Sequence, residues 1–466
     1  MTTFNNDITE INNLTEPVFL ETLKIRYHSQ YYYTYIGNIL IFLNPYNENL
    51  KTVRTEEFLN KSLPDNDPHV FGIAEAVRQN AIMDSLLNQV IIISGESGSG
   101  KTESTKRIIL YYSSIHKFHK ISQALMYATP ILESLGNAMT SQNSNSSRFG
   151  KFISLHRKMS AFQHASQRSF MLEKSRICRQ SAHERNYHIF YEITTGLSPK
   201  EMQEYGFLPS ENYRYLCYKN LGNSSRGLDS ANFVKLKKSW LAVGLSEGDF
   251  KNLLTTLSVV LLLGNLKWRE VNGEIDRKVI NHADDITIAN SPSECYTVCD
   301  SLAKKLYTNN FEETIGMINR RLSNAGIDLN EHTQTISILD IYGFEDLENN
   351  SLEQMCINFS NECLQRFYNE TIFIMEQREY VKEKINIKFL DDYPDNQDII
   401  SLFVGSKPSG IFPILNDSAK FRGGTDRSFL LECNEVHFRC KKYKIPKKGS
   451  ENSFVICHFA GEILYN

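Results

Sequence analysis

Gly95-Glu96-Ser97-Gly98-Ser99-Gly100-Lys101-Thr102 fits the pattern G-x-x-x-x-G-K-[ST]. Glycines let successive backbone amides turn toward phosphate oxygens, and a helix starting at the loop's end presents its positive pole to them. Lys101 adds a mobile cation for β- and γ-phosphates, and the Thr102 hydroxyl can ligate Mg²⁺. Such a loop specifies nucleotide binding. Hydrolysis also asks for a second holder of the metal, a group that places water and a sensor of the γ-phosphate. Two later segments have that chemistry. Asn143-Ser144-Asn145-Ser146-Ser147-Arg148-Phe149-Gly150 packs hydroxyls, amides and one guanidinium into eight residues. In Asp340-Ile341-Tyr342-Gly343-Phe344-Glu345, Asp340 can hold a magnesium-bound water, Gly343 can offer a backbone amide, and Glu345 can pair with a cation. Each segment alone also reads as an ordinary turn; their order and their places beside strand ends favour a joint site.

The elements that must position these groups are legible around them. Val90–Ile93 reads as a short buried strand running into the glycine loop, and a helix is expected from Lys101 to Tyr112, with Ile108, Tyr111, Tyr112 and Ile115 on one face. Lys151–His156 reads as a strand with Phe170–Lys174 as its return partner, and Thr335–Leu339 as a second buried strand ending in a glycine turn. Tyr31–Pro45 holds two β-prone runs flanking Gly37-Asn38, a two-residue hairpin signal. Residues 175 to about 330 are helical in pattern, most apolar at Leu253–Leu263. A long amphipathic helix then carries Leu352, Met355, Cys356, Phe359, Cys363, Phe367 and Ile374 as its expected core stripe. From Asn386 the chain reads as loop-rich, ending in a strand at Phe454–Asn466. The fold class expected is α/β, with strands delivering ligand-binding turns at their carboxyl ends.

Composition sets the outer limits. The chain has 466 residues, which as a prior suggests about three structural units. Its net charge of −3 gives no global argument for nucleic acid or acidic membranes. No apolar run reaches a membrane span, and residues 1–13 are too polar for a signal peptide. Nine scattered cysteines without a Cys-x-x-Cys pair suit a reduced, cytoplasmic protein better than a disulfide framework or a zinc site.

The three chemical segments carry a family resemblance: the chain resembles the myosin motor head. Gly95–Thr102 resembles its P-loop, Asn143–Phe152 its switch I and Asp340–Glu345 its switch II. Asn44-Pro45-Tyr46 resembles the start of the purine-binding loop, and Pro68-His69-Val70-Phe71 the PHIF-like turn. Leu132–Ala138, Met171–Gln180 and Glu184–Tyr191 are similar to further family signatures, and Leu352–Tyr380 to the relay helix. Kinesins share a P-loop and two switches, but as a family lack the long insertion between Arg148 and Glu345, the RFGKF run and the Asn-Pro loop.

The resemblance implies a P-loop NTPase with a mainly parallel or mixed central sheet flanked by helices, and a large, mostly helical insertion between the switches. It divides the chain into 1–135, the N-terminal part of the head with purine loop and P-loop; 136–334, switch I and an upper-50-kDa-like subdomain; and 335–466, switch II, relay helix and part of a lower-50-kDa-like subdomain. The cofactors implied are ATP and Mg²⁺. Asn44, Pro45 and Tyr46 would face the base, and Gly95, Glu96, Ser97, Gly98, Ser99, Gly100, Lys101 and Thr102 the phosphates. Thr102 and Ser147 would ligate Mg²⁺, with Asp340 reaching it through water. Asn143 and Ser146 would contact phosphate and hold the lytic water, Gly343 would sense the γ-phosphate, and Arg148 would pair with Glu345 as the switches close. Actin filaments are the implied partner and the actin cytoskeleton the implied location. A light chain or calmodulin is expected only if the chain continues past Asn466; no nucleic acid or membrane contact is expected.

Several positions depart from the family's pattern. Asn47 and Thr52 stand where the family usually has Lys and an adenine-facing Tyr, and Met139 and Gln142 replace basic residues before switch I. The stretch between Leu263 and Asp300, the approach to Thr335 and the loop at His116–His119 look short. Gly424–Phe429 and the lysines Lys441, Lys442, Lys444, Lys447 and Lys448 are candidate actin contacts, or simply a solvated basic loop. The length is that of an incomplete head with a class-I-like start, from which a strand of the central sheet is expected to be missing. The alternative is a degenerate or fragmentary head that binds nucleotide or actin without producing force.

Overall fold

The computed structural model describes residues 5–46, 53–84, 86–115, 119–158, 161–181, 183–216, 223–267, 270–271, 274–275, 292–323, 333–385, 395–421, 423–446 and 452–466. Within it the chain forms two compact units, Met1–Ile341 and Tyr342–Asn466.

The first unit is organised by a mixed sheet of four strands in the order Gln89–Ile93, Gln334–Asp340, Gly150–Lys158, Ala161–Phe170. Gln334–Asp340 runs parallel to Gln89–Ile93 and antiparallel to Gly150–Lys158, which turns back through a hairpin to Ala161–Phe170. Only one of the three pairings is therefore parallel, so this sheet is mixed, with antiparallel pairs in the majority. The return strand also lies earlier than the sequence suggests. It ends at Phe170, and the chain leaves it through Met171, whose φ of 52° turns the backbone away.

Polarity of these strands decides where the chemistry meets. The register pairs Asp340 with Ile93 on one side and with Lys151 on the other. Two parallel strands end at the same sheet edge, and an antiparallel strand begins there. The glycine loop after Ile93, the carboxyl end at Asp340 and the Arg148–Lys151 entry thus converge on one edge.

Helices cover this sheet. The loop feeds Lys101–Ile115, which packs with His119–Gly136 and Val70–Met83. Beyond the sheet hairpin come His188–Gly196, Pro199–Tyr205, Asn223–Ala242, Glu247–Asn265 and Pro292–Leu322, as the helical pattern of residues 175–330 predicts. Capping boxes start two of them, Ser198 with Glu201 and Ser246 with Asp249. The expected hairpin is present, Tyr33–Ile36 against Ile39–Phe42 around Gly37-Asn38. One continuous core joins sheet and helices, with Tyr111, Tyr112, Leu155, Phe190, Trp240, Leu257 and Phe311 all essentially inaccessible.

The second unit contains the helix Leu352–Asn369, one π-helical turn at Glu370–Ile374 and the helix Met375–Lys382. Three further helices, Gln397–Val404, Ile411–Lys420 and Asp426–His437, occupy the region read as loop-rich. A small antiparallel sheet closes it, with Phe454–Cys457 between Tyr443–Lys444 and Glu462–Tyr465.

The long helix corrects the expected core stripe. Met355 is buried, but Leu352 and Phe367 are 49% and 56% exposed and Cys363 is exposed. The inward positions instead include Gln354, Asn358, Asn361 and Glu362. Hydrogen bonds satisfy these side chains, so the buried face, which also holds Met355 and Ile357, is mostly polar, and most of the expected apolar stripe lies at its border. Hydrophobic periodicity cannot find such a face.

Candidate nucleotide site

The glycine loop has the backbone that its sequence predicts. Gly98 and Gly100 have φ of 83° and 95°, in the region side chains avoid, and a Cβ on Gly100 would lie 2.7 Å from the Phe42 ring. The Lys101 ammonium donates to the carbonyls of Gly95 and Glu96 at 2.6 and 2.8 Å, so it lies across the mouth of the loop. Asn44 anchors the hairpin strand to the loop by donating Nδ2 to the Gly98 carbonyl at 2.8 Å, while its Oδ1 accepts from the Tyr46 amide. Tyr46 is 80% exposed, with its hydroxyl near Gly98. Asn47 and Thr52 lie outside the described residues, as do residues 116–118, Lys447, Lys448 and most of the short stretches before Asp300 and Thr335.

The serine-rich segment reaches the same loop. Ser97 Oγ donates to Ser146 Oγ at 2.9 Å, and Asn143 Nδ2 donates to Ser97 Oγ at 3.4 Å. Ser146-Ser147 is fixed by a short antiparallel ladder with Asn137-Ala138, and the Arg148 amide donates to the Gly136 carbonyl. Oxygen and amide donors from two distant segments therefore share one network at the loop.

Asp340 supplies the carboxylate. Thr102 Oγ1 donates to Asp340 Oδ2 at 3.3 Å, and Thr105 Oγ1 lies at 3.5 Å. Burial pushes the Asp340 carboxyl up, against the pull of Lys151 and Lys101. Burial likewise pulls the Lys151 ammonium down, with Asp340 opposing. Lys151 is 6% exposed, and a buried cation opposite a buried carboxylate marks it as part of the site. Sequence reading assigned Lys151 no role; its signal was a lysine at the start of an otherwise buried strand.

Mg²⁺ takes hard oxygen ligands and keeps several waters. The hydroxyl of Thr102 beside the carboxylate of Asp340 fits that preference, and the strain of burying an anion is what a dication relieves. No group of three or more His, Cys, Asp or Glu suited to a metal occurs among the described residues.

Arg148 is held by a partner that sequence reading missed. Its Nε donates to Glu173 Oε2 at 2.6 Å, and Arg176 Nε donates to the same oxygen at 2.6 Å. Arg176 also bonds Glu184 at 2.9 Å. Burial opposes charge on Glu173, but the Arg148 and Arg176 guanidiniums win and hold its carboxyl below the usual range. Glu173 lies in the MLEKSRICRQ run, whose alternating charges were the available signal.

In the second unit, the segment after Ile341 is tied to the long helix. The Glu345 amide donates to Asn358 Oδ1, and Asn358 Nδ2 returns to the Glu345 carbonyl, both at 2.8 Å. Gln354 Nε2 donates to Glu345 Oε2 at 3.1 Å and Asn361 Nδ2 to the Tyr342 carbonyl at 3.3 Å. Asn358 also donates to the Tyr465 hydroxyl, which meets His458, whose other ring nitrogen meets Glu362 at 2.9 Å. Tyr342 and Glu345 are thus tied to the polar face of that helix. Of the basic run, Lys444 is paired with Glu462.

Comparison with known proteins identifies the family. A family model described as myosin head (motor domain) matches residues 5–290 and 273–466. Unconventional myosin-XV of Homo sapiens is 35% identical over 98% of this chain and 14% of its own length. Myosin-I heavy chain of Dictyostelium discoideum is 35% identical over 99% of this chain and 21% of its own. Unconventional myosin-IXb of Rattus norvegicus is 36% identical over 99% and 25%. The chain therefore spans about a quarter or less of the length of these relatives.

Proposed function

Because the chain belongs to the myosin head (motor domain) family, we propose that it binds Mg-ATP at Gly95–Thr102 and hydrolyses it as the nucleotide-handling part of an actin-based motor. The observation that carries the reading is the bond from Thr102 to Asp340, which joins the glycine loop to the end of a strand 238 residues away. A glycine loop alone binds phosphate. A buried carboxylate delivered beside its metal-binding hydroxyl is what hydrolysis adds.

In this reading the amides of Gly95–Gly100 and the Lys101 ammonium, released from the Gly95 and Glu96 carbonyls, hold the phosphates. Thr102 and Ser147 would hold Mg²⁺, with Asp340 behind them; the ion would supply charge neutralisation for the phosphates. Asn143 and Ser146, already bonded to the loop through Ser97, orient the water. Asn44, Pro45 and Tyr46 flank the base. Gly343 contributes its amide to the γ-phosphate, and Arg148 exchanges between Glu173 and Glu345 as the nucleotide is engaged. The Asn358 bonds to Glu345 would then carry any displacement of that segment into the Leu352–Asn369 helix and its π-helical turn, an irregularity frequent at functional sites. Actin filaments are the proposed partner and the actin cytoskeleton the proposed location.

The test is single-turnover ATP hydrolysis by this chain with and without filamentous actin, beside Lys101→Ala. Turnover abolished by Lys101→Ala and accelerated by actin supports the motor. Tight nucleotide binding without turnover, unaffected by actin, would overturn it in favour of a head that binds without producing force.

A further inference from the structure

Away from the nucleotide loop, a groove of about 570 Å³ opens between the helices His119–Gly136 and Asn223–Ala242. Its walls are apolar at Met126, Tyr127, Pro130 and Val234, and the buried Thr129 and Ser239 also line it. Tyr127 and Val234 are 46% and 49% exposed, although they sit side by side on helices whose opposite faces form the core. Pro130, inside its helix, lacks the N–H that would otherwise bond the Met126 carbonyl.

The rim is positively charged. Lys106, Lys235 and Lys238 line it, and among the described residues no acidic one does. Lys106 is neutralised by Glu133 at 3.1 Å. Lys237, on another face of the same helix, is matched by Glu201 at 3.4 Å. Lys235 and Lys238 have no ion-pair partner among the described residues, and they project one turn apart along the groove.

We infer that this groove is a binding site for a small amphipathic anion, an aromatic or short aliphatic body carrying one carboxylate or sulfonate. The volume suits a ligand of that size. Covering the exposed apolar walls rewards burial of the apolar body, and two unmatched lysines select a negative head over a neutral or cationic one. Lys106 belongs to the helix that begins at Lys101, so an occupant would touch the element that carries the phosphate loop. The inference needs only the fold of the first unit and stands or falls apart from motor activity.

The test is fluorescence titration of the whole chain with 1-anilinonaphthalene-8-sulfonate and with its uncharged counterpart, N-phenyl-1-naphthylamine. One saturable sulfonate site is expected, about tenfold tighter than the neutral probe. Lys235→Gln/Lys238→Gln should loosen the sulfonate about tenfold and leave the neutral probe unchanged. Val234→Glu, at an exposed position, should weaken the sulfonate at least as much and gives a second reading should the lysine pair prove needed for folding. An unaltered thermal midpoint establishes that each variant is folded. Equal affinity of the two probes for the wild type, or sulfonate binding unchanged in the folded variants, would overturn the inference.

Discussion

Glu192→Gln should make the first unit more stable at alkaline pH and leave it unchanged in acid. Glu192 lies in the His188–Gly196 helix and is 3% exposed. One of its carboxyl oxygens, Oε2, finds no hydrogen-bond partner among the described residues. Burial pushes its pKa up from an ordinary 4.5 to about 7, helped by Asp229 and Glu133 and opposed by a bond from Ser134 and the charge of Arg185. Below about pH 4.5 the group is protonated in folded and unfolded chains alike and contributes no difference. Between about 4.5 and 7 the unfolded chain ionises while the folded one keeps its proton, so stability falls as pH rises. Above about 7 the loss is complete. At about 1.4 kcal/mol per pKa unit it amounts to about 3 kcal/mol. Glutamine, neutral throughout, escapes that loss. Urea unfolding followed by the fluorescence of Trp240, which is buried in this unit, should show wild type and variant coinciding near pH 4.5 and separating to about 3 kcal/mol by pH 8. A difference independent of pH, or a variant less stable at pH 8, would refute the reasoning, because either means that Glu192 is ionised in the fold.

Glu173→Gln should cost about 3–5 kcal/mol near neutral pH, since it takes the shared carboxylate from Arg148 and Arg176, which are 3% and 4% exposed. As the Glu173 carboxyl is held below the usual range, that contribution is present above about pH 4.5 and fades as pH falls further, so unfolding curves of the two proteins should converge in acid. Gly100→Ala should weaken binding of a fluorescent ATP analogue at least tenfold and lower the thermal midpoint, because the new Cβ meets Phe42 in a backbone region worth about 1–3 kcal/mol of strain. Asn358→Leu, nearly isosteric, should destabilise the second unit by about 3 kcal/mol and speed hydrogen exchange at the Glu345 amide, since it removes the Asn358 bonds to that amide and to the Glu345 carbonyl and one of the two bonds at the Tyr465 hydroxyl.

The sequence by itself determined the local chemistry. The order of residues in Gly95–Thr102 dictates a loop that only glycines can form, followed by a helix, because φ preferences and helix starts are properties of a few neighbouring residues. The same holds for the Gly37-Asn38 hairpin and for the strands running into Gly95 and Asp340. The family resemblance was legible for the same reason, since it rests on short runs whose residue types are tied to a reaction.

What only the tertiary structure decided are the pairings across long separations. Lys151 stands opposite Asp340 through strand register, Glu173 captures Arg148 from beyond a hairpin, and Ser146 meets Ser97 because two loops arrive at one sheet edge. No local pattern encodes these contacts; they depend on strand polarity and on how far each helix turns the chain. The polar inner face of Leu352–Asn369 shows why most clearly. Periodicity sorts residues by their free energy of leaving water, whereas Asn358 and Glu362 are buried by hydrogen bonds to Glu345, Tyr465, His458 and Asn396, partners that exist only once the chain has folded.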